Sequence, residues 1–177
     1  MLIEDKIWPR PLGKDGAKLV VERDEARLRI RAAIQAARDE GVPLLARTDA
    51  CRSRGFDEAL ARLKEFAAEG ADILFLDSPE NEMQMRAAVE ACNGKPAVSV
   101  TAPAGKHFMP DDAGLTRAGI RFAIYPQEIL AATVHAIRAA LAGLKGGPRA
   151  AMASVPELAV ATRSTEYLAM DARLAAG

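Results

Sequence analysis

The chain has 177 residues, room for one ordinary domain with a sizeable core, and sets 24 Lys and Arg against 24 Asp and Glu. A composition 50% hydrophobic and 27% charged is that of a globular protein, and the even charge balance gives no basic field for gripping nucleic acid. No apolar run reaches the roughly 18 residues of a membrane span, and no secretory leader opens the chain, so a cytoplasmic α/β protein is expected.

Five short apolar runs alternate with longer helical patterns. The runs are Met1-Leu2-Ile3, Pro43-Leu44-Leu45-Ala46, Ile73-Leu74-Phe75-Leu76, Ala97-Val98-Ser99-Val100 and Phe122-Ala123-Ile124-Tyr125. Their flanks mark them as strands. After the first comes a helix over Glu22 to Glu40, with Ala26, Ile30, Ala33, Ile34 and Ala37 on one stripe and Gly41 as its stop. The second run leads to a helix from Phe56 to Glu69, burying Leu60, Leu63 and Ala67 and ending at Gly70. A third helix runs from Pro79 or Glu80 to Cys92, opening on acids that favour a helix N-terminus. Asp111 to Ala118 is a short helix, and Pro126 to Leu144 a long one. Helical segments around Pro156 to Ala161 and Thr165 to Leu174 fill the tail.

This is βα repeated five times, the pattern of a parallel sheet with helical crossovers. Residues 1 to 147 hold five units of about 29 residues, and eight such units would approach the typical length of a (β/α)₈ barrel. An open doubly wound sheet is the other solution, but no G-x-G-x-x-G loop follows an early strand. The expected fold is therefore a partial (β/α)₈ TIM-type barrel over residues 1–147, followed by a helical tail over 148–177. The tail's apolar residues, Val155, Leu158 and Tyr167 among them, ask for a partner surface, so a homo-oligomer is expected. Met1 falls inside a strand, and the barrel is expected to lack about three N-terminal units.

Strand ends in such folds carry the ligand. Here they read Glu4-Asp5, Arg47-Thr48-Asp49, Asp77-Ser78, Thr101 and Tyr125-Pro126-Gln127. Carboxylate oxygens suit Mg²⁺, and a guanidinium suits a carboxylate or phosphate. Together they point to a small oxyacid held beside a metal, against the plainer reading that these polar residues cap helices and solvate loops. His107, in the loop Pro103 to His107, is either a proton donor or orienter facing the ligand, or a solvated loop residue. Lys14-Asp15-Gly16 is either a gate or an ordinary turn. Cys51 and Cys92 have no activating neighbour in sequence, and His135 reads as structural.

Three stretches carry a family resemblance: Ile3-Glu4-Asp5-Lys6, Leu45-Ala46-Arg47-Thr48-Asp49-Ala50 and Gly70-Ala71-Asp72-Ile73-Leu74-Phe75. With Gly55 to Ala59 and Gly119 to Pro126 they resemble the isocitrate lyase/phosphoenolpyruvate mutase superfamily. The resemblance implies a metal-dependent barrel enzyme, using Mg²⁺ or alternatively Mn²⁺, that cleaves or forms C–C or P–C bonds in a small 2-oxo acid or phosphonate. It implies that Glu4 serves the metal and that Arg47 clamps the substrate carboxylate; Arg47, Asp77 and, from its loop position, His107 are the expected catalytic residues. Thr48, Asp49 and Thr101, as strand-end residues, are expected to join Arg47 in binding substrate.

Three departures stand out. Asp77 replaces the family's Glu, and Thr101 stands where Asn is common. The stretch Trp8 to Gly16 lacks the K-R-C-G-H loop of the isocitrate and methylisocitrate lyases, which favours the decarboxylase, hydrolase and mutase branches. The competing function class is a truncated relative that binds or assembles without catalysis.

Overall fold

The computed structural model describes residues 1–9, 19–100, 108 and 111–175. Its elements follow the chain as β1 (Leu2–Glu4), α1 (Arg23–Asp39), β2 (Leu45–Thr48), α2 (Ala50–Arg54), α3 (Phe56–Glu69), β3 (Ile73–Leu76), α4 (Glu82–Ala91), β4 (Ala97–Val100), α5 (Asp112–Ala118), β5 (Phe122–Ile124), α6 (Glu128–Leu144), α7 (Val155–Ala161) and α8 (Ser164–Ala175). Two compact units result, Met1–Leu130 and Ala131–Gly177.

In the first unit all five strands are parallel and stand in the order β1-β2-β3-β4-β5. A doubly wound sheet reverses its strand order at a switch point, and this sheet does not. Sequential parallel strands that stop short of closure make an arc of a (β/α)₈ barrel, as the repeat arithmetic anticipates.

Strand alternation divides the arc into two faces. The outward set, Ala46, Leu74, Leu76 and Ala97, joins a core with Ala26, Ile30, Ile34 and Ala37 of α1 and Leu63, Phe66 and Ala67 of α3. The inward set forms a row in register, Glu4 beside Arg47, Arg47 beside Phe75, then Val98 and Phe122. At the arc's edges this inner face is open, with Leu2, Phe122 and Ile124 exposed.

The helices have local causes. Asp57 and Glu58 sit in the first turn of α3, where they favour the helix dipole. Gly70 ends α3 in the left-handed region at φ 110°, and a Cβ there would meet the Arg38 guanidinium at 2.7 Å. Asn81 caps α4 by accepting from the Gln84 N–H, and Asp111 caps α5 by accepting from Gly114. These caps start α4 and α5 later than their acidic leaders suggest. α2, five residues long, has no apolar period and was not anticipated.

α1 and α3 are laced by Arg23 to Glu58 and Glu65, and by Arg31 to Glu69 at 2.6 Å. The Arg23 hydrogen bond, together with Arg62, holds the Glu58 carboxyl down from 4.5 to about 2. A depressed carboxyl adds stability above its unfolded value and loses it as pH falls through the folded one. The urea midpoint is therefore expected to drop as pH is lowered from 4.5 toward 2. Glu58→Gln should flatten that part of the profile, and an unchanged slope would mean that the pair does not form in solution.

In the second unit α7 opens with a capping box, the Ser154 hydroxyl accepting from the Glu157 N–H while the Glu157 carboxylate accepts from the Ser154 N–H. No described residue of α6, α7 or α8 is buried, and Val155, Val160, Tyr167 and Leu174 are exposed. None of the described helices is long and apolar enough to cross a membrane.

Candidate active site

β1, β2 and β3 end side by side, and their register places Glu4 next to Arg47. Arg47 points to the inner face and lies over the Phe75 ring, 4.7 Å from its centroid. Its Nε donates to Asp49 Oδ2 and its Nη2 to Asp49 Oδ1, both at 2.7 Å. Nη2 also donates to Asp77 Oδ1 at 2.7 Å, and Glu4 Oε2 stands 3.5 Å from Nε. Among the described residues only Nη1 of this guanidinium has no partner. Burial works against the charged form of Arg47, but the hydrogen bonds it donates to Asp49 and the charges of Asp77, Asp49 and Glu4 outweigh it and raise its pKa.

Asp77 is held in turn. It accepts from the Ser78 hydroxyl at 2.6 Å, and its own N–H donates to the Thr48 carbonyl at 3.0 Å. Ser78 adopts φ 59°, a left-handed conformation uncommon for a residue other than glycine and frequent where a site imposes it.

A second cation shares the cluster. Lys6 Nζ lies 3.2 Å from Glu4 Oε2 and 3.4 Å from Asp49 Oδ1, with a side chain only 7% exposed. The backbone around it is fixed by an antiparallel bridge between Lys6 and Val20, and by the Val21 N–H donating to the Asp5 carbonyl at 2.9 Å. Lys6 lies inside the first family-like stretch, where nothing in the residue pattern separates it from a surface lysine.

Thr48 and Asp49 do not line an open pocket. Thr48 follows Arg47 by one residue, so the period of two turns it to the helix side, where its hydroxyl donates to Asp5 Oδ2 at 2.7 Å. Asp49 is buried, and its carboxylate holds the Nε/Nη2 edge of Arg47. Among the described residues, Nη1 is the guanidinium nitrogen that these carboxylates leave unheld. Thr101, His107 and the Lys14-Asp15-Gly16 loop lie outside the described residues.

No group of three or more His, Cys, Asp or Glu among the described residues is arranged to hold a metal. Mg²⁺, however, commonly takes one or two carboxylates and completes its shell with water and ligand oxygens. Glu4, partly open and reached by Lys6 at 3.2 Å and Arg47 at 3.5 Å, suits that mode and not an all-protein cage. Neither cysteine is poised as a nucleophile. Burial pushes the Cys92 thiol up to about 11, and burial with the nearby Glu80 and Asp77 charges raises Cys51.

Residues 1–145 match the family model described as phosphoenolpyruvate phosphomutase. An oxaloacetate decarboxylase of Paraburkholderia xenovorans is 40% identical over 89 residues, covering 50% of this chain and 30% of that protein. Among solved structures, an oxaloacetate acetylhydrolase in complex with 3,3-difluorooxalacetate superposes with a TM-score of 0.80 at 28% identity, over 98% of this chain and 60% of the other. A phosphonopyruvate hydrolase in complex with oxalate and Mg²⁺ gives 0.70 at 27% identity, over 97% and 61%. This chain thus spans less than two thirds of each relative. Strand ends, sheet order and these matches agree that the chain belongs to the phosphoenolpyruvate mutase/isocitrate lyase superfamily.

Proposed function

We propose that the chain supplies one wall of the pocket of an enzyme acting on a small 2-oxo acid or phosphonate, with C–C or P–C bond chemistry through an enolate. Nη1 of Arg47, without a partner among the described residues, carries this reading. A guanidinium fixed by Asp49 and Asp77 and stacked on Phe75 presents its remaining N–H groups in a set direction, and a carboxylate is the complementary ligand. Asp77, hydrogen-bonded to Arg47, orients it and is the proposed catalytic carboxylate. Thr101 as a ligand hydrogen-bonding residue and His107 as a proton donor complete the proposed site.

Mg²⁺, or Mn²⁺ in its place, belongs to the same reading, with Glu4 as this chain's contribution beside ligand oxygens and water. Bound there, such an ion would supply positive charge where an enolate develops. Lys6 adds a fixed positive charge on the same side of the rim.

The reading includes self-association, supported by the exposed apolar residues of α6, α7 and α8. Light scattering on the purified chain is expected to give a mass at least twice 18.9 kDa, and a monodisperse monomer would count against it.

A second reading, binding without turnover, is favoured by one observation: Arg47 is already closed onto Asp49 and Asp77. Incubation with oxaloacetate and Mg²⁺ separates the two. Metal-dependent loss of oxaloacetate supports the enzyme, whereas oxalate binding without turnover supports the binder. Neither result would remove Arg47's site from the account altogether except failure to bind oxalate at all.

A further inference from the structure

Among the described residues, the largest fully buried side chain belongs to an arginine. Arg62 lies on α3 within the stripe Ala59, Arg62, Leu63, Phe66 and Ala67, and is 1% exposed. From α3 it reaches the residue after β1 and the segment before α1, besides Glu58 of its own helix. Nη1 donates to Asp5 Oδ2 at 3.2 Å, Nη2 to the Val21 carbonyl at 2.8 Å, and Nε to Glu58 Oε1 at 2.8 Å.

Asp5 is equally buried and gathers the end of β2. It accepts from the Asp49 N–H at 2.9 Å and from the Thr48 hydroxyl at 2.7 Å, and its own N–H donates to the Arg47 carbonyl at 3.3 Å. A buried ion pair gives little net stability over an apolar pair of the same shape, because two charges must be stripped of water. Stability alone is therefore a poor account of an arginine in the apolar stripe of α3. Its geometry has a direction: α3 to Asp5, Asp5 to the Thr48-Asp49 backbone, Asp49 to the guanidinium of Arg47.

We infer that Arg62 is a positioning residue, which acts through Asp5 and Asp49 to fix the direction in which Arg47 presents Nη1. It touches no ligand. The consequence for binding rests on the proposed function, but the consequence for Arg47 itself does not, so the two fail separately.

The full chain is studied as wild type, R62M, R62K and T48V, with L63A as a core variant on the same helix. Oxalate affinity is measured by calorimetry with Mg²⁺ present, the Nε–H resonance of Arg47 by NMR, and stability by urea. R62M is expected to weaken oxalate roughly tenfold, the scale typical of losing an outer partner of a site residue, and to shift or broaden the Arg47 resonance. R62K restores part of both. T48V, which removes one arm of the network with little change of shape, moves the resonance in the same sense and serves if R62M does not fold. L63A lowers the urea midpoint and leaves the resonance and affinity in place. Equal effects of L63A and R62M, or an unmoved Arg47 resonance in R62M and T48V, would overturn the inference. If wild type binds no oxalate, the proposed function fails, and the resonance still decides the role of Arg62.

Discussion

Arg47→Ala is expected to abolish oxalate binding, with a loss of at least about a hundredfold in affinity. A charge-assisted hydrogen bond is worth about 1.5–3 kcal/mol net, and this substitution also removes the guanidinium that Glu4, Asp49 and Asp77 share. An anion approaching that surface meets carboxylates where it met a guanidinium. Arg47→Lys should rescue poorly: one ammonium cannot hold both Asp49 oxygens, satisfy Asp77 and still face a ligand as the planar guanidinium does. Calorimetry on both variants checks this. Affinity that survives in R47A would take Arg47 out of the site.

Phe66→Ala should produce the largest loss of stability. Phe66 is fully buried between α3 and the outer face of the sheet, and its carbonyl accepts from the N–H of Ala71 where the chain turns into β3. Truncating such a ring costs about 3–5 kcal/mol through lost burial and the cavity left behind. That is a large share of the roughly 5–15 kcal/mol that holds a domain together. Urea denaturation followed by circular dichroism gives the number. A loss below about 1 kcal/mol would mean that α3 does not pack on the sheet as described.

Most of this scaffold is readable in the sequence because its signals are local. Short β-branched and leucine-rich runs, Ala-rich amphipathic stretches and glycines such as Gly70 and Gly119 mark β1 to β5 and most helices within a few residues. The order of the strands follows from the repeat length. The site is legible more unevenly. Arg47 and Asp77 stand out because they end strands. The burial of Thr48 was also within reach, since a period of two turns it away from the face that Arg47 occupies. Asp49's grip on Arg47 was not, because it depends on the turn into α2, an element too short to show a period. Arg62 left a faint trace: it sits three residues after Ala59 and four before Phe66, on the apolar stripe of α3. An arginine there usually reads as a long side chain reaching for solvent, and only the tertiary structure brings Asp5 to meet it.

The central claim is that the inner rim of β1, β2 and β3 binds a small dicarboxylate through Arg47. A crystal structure of the full chain grown with oxalate and Mg²⁺ tests it most directly. The account predicts oxalate on the inner face above Phe75, with one carboxylate oxygen within hydrogen-bonding distance of Arg47 Nη1 and the Asp49 and Asp77 contacts kept. Oxalate bound elsewhere, or a saturating concentration that leaves Nη1 without a partner, would contradict it.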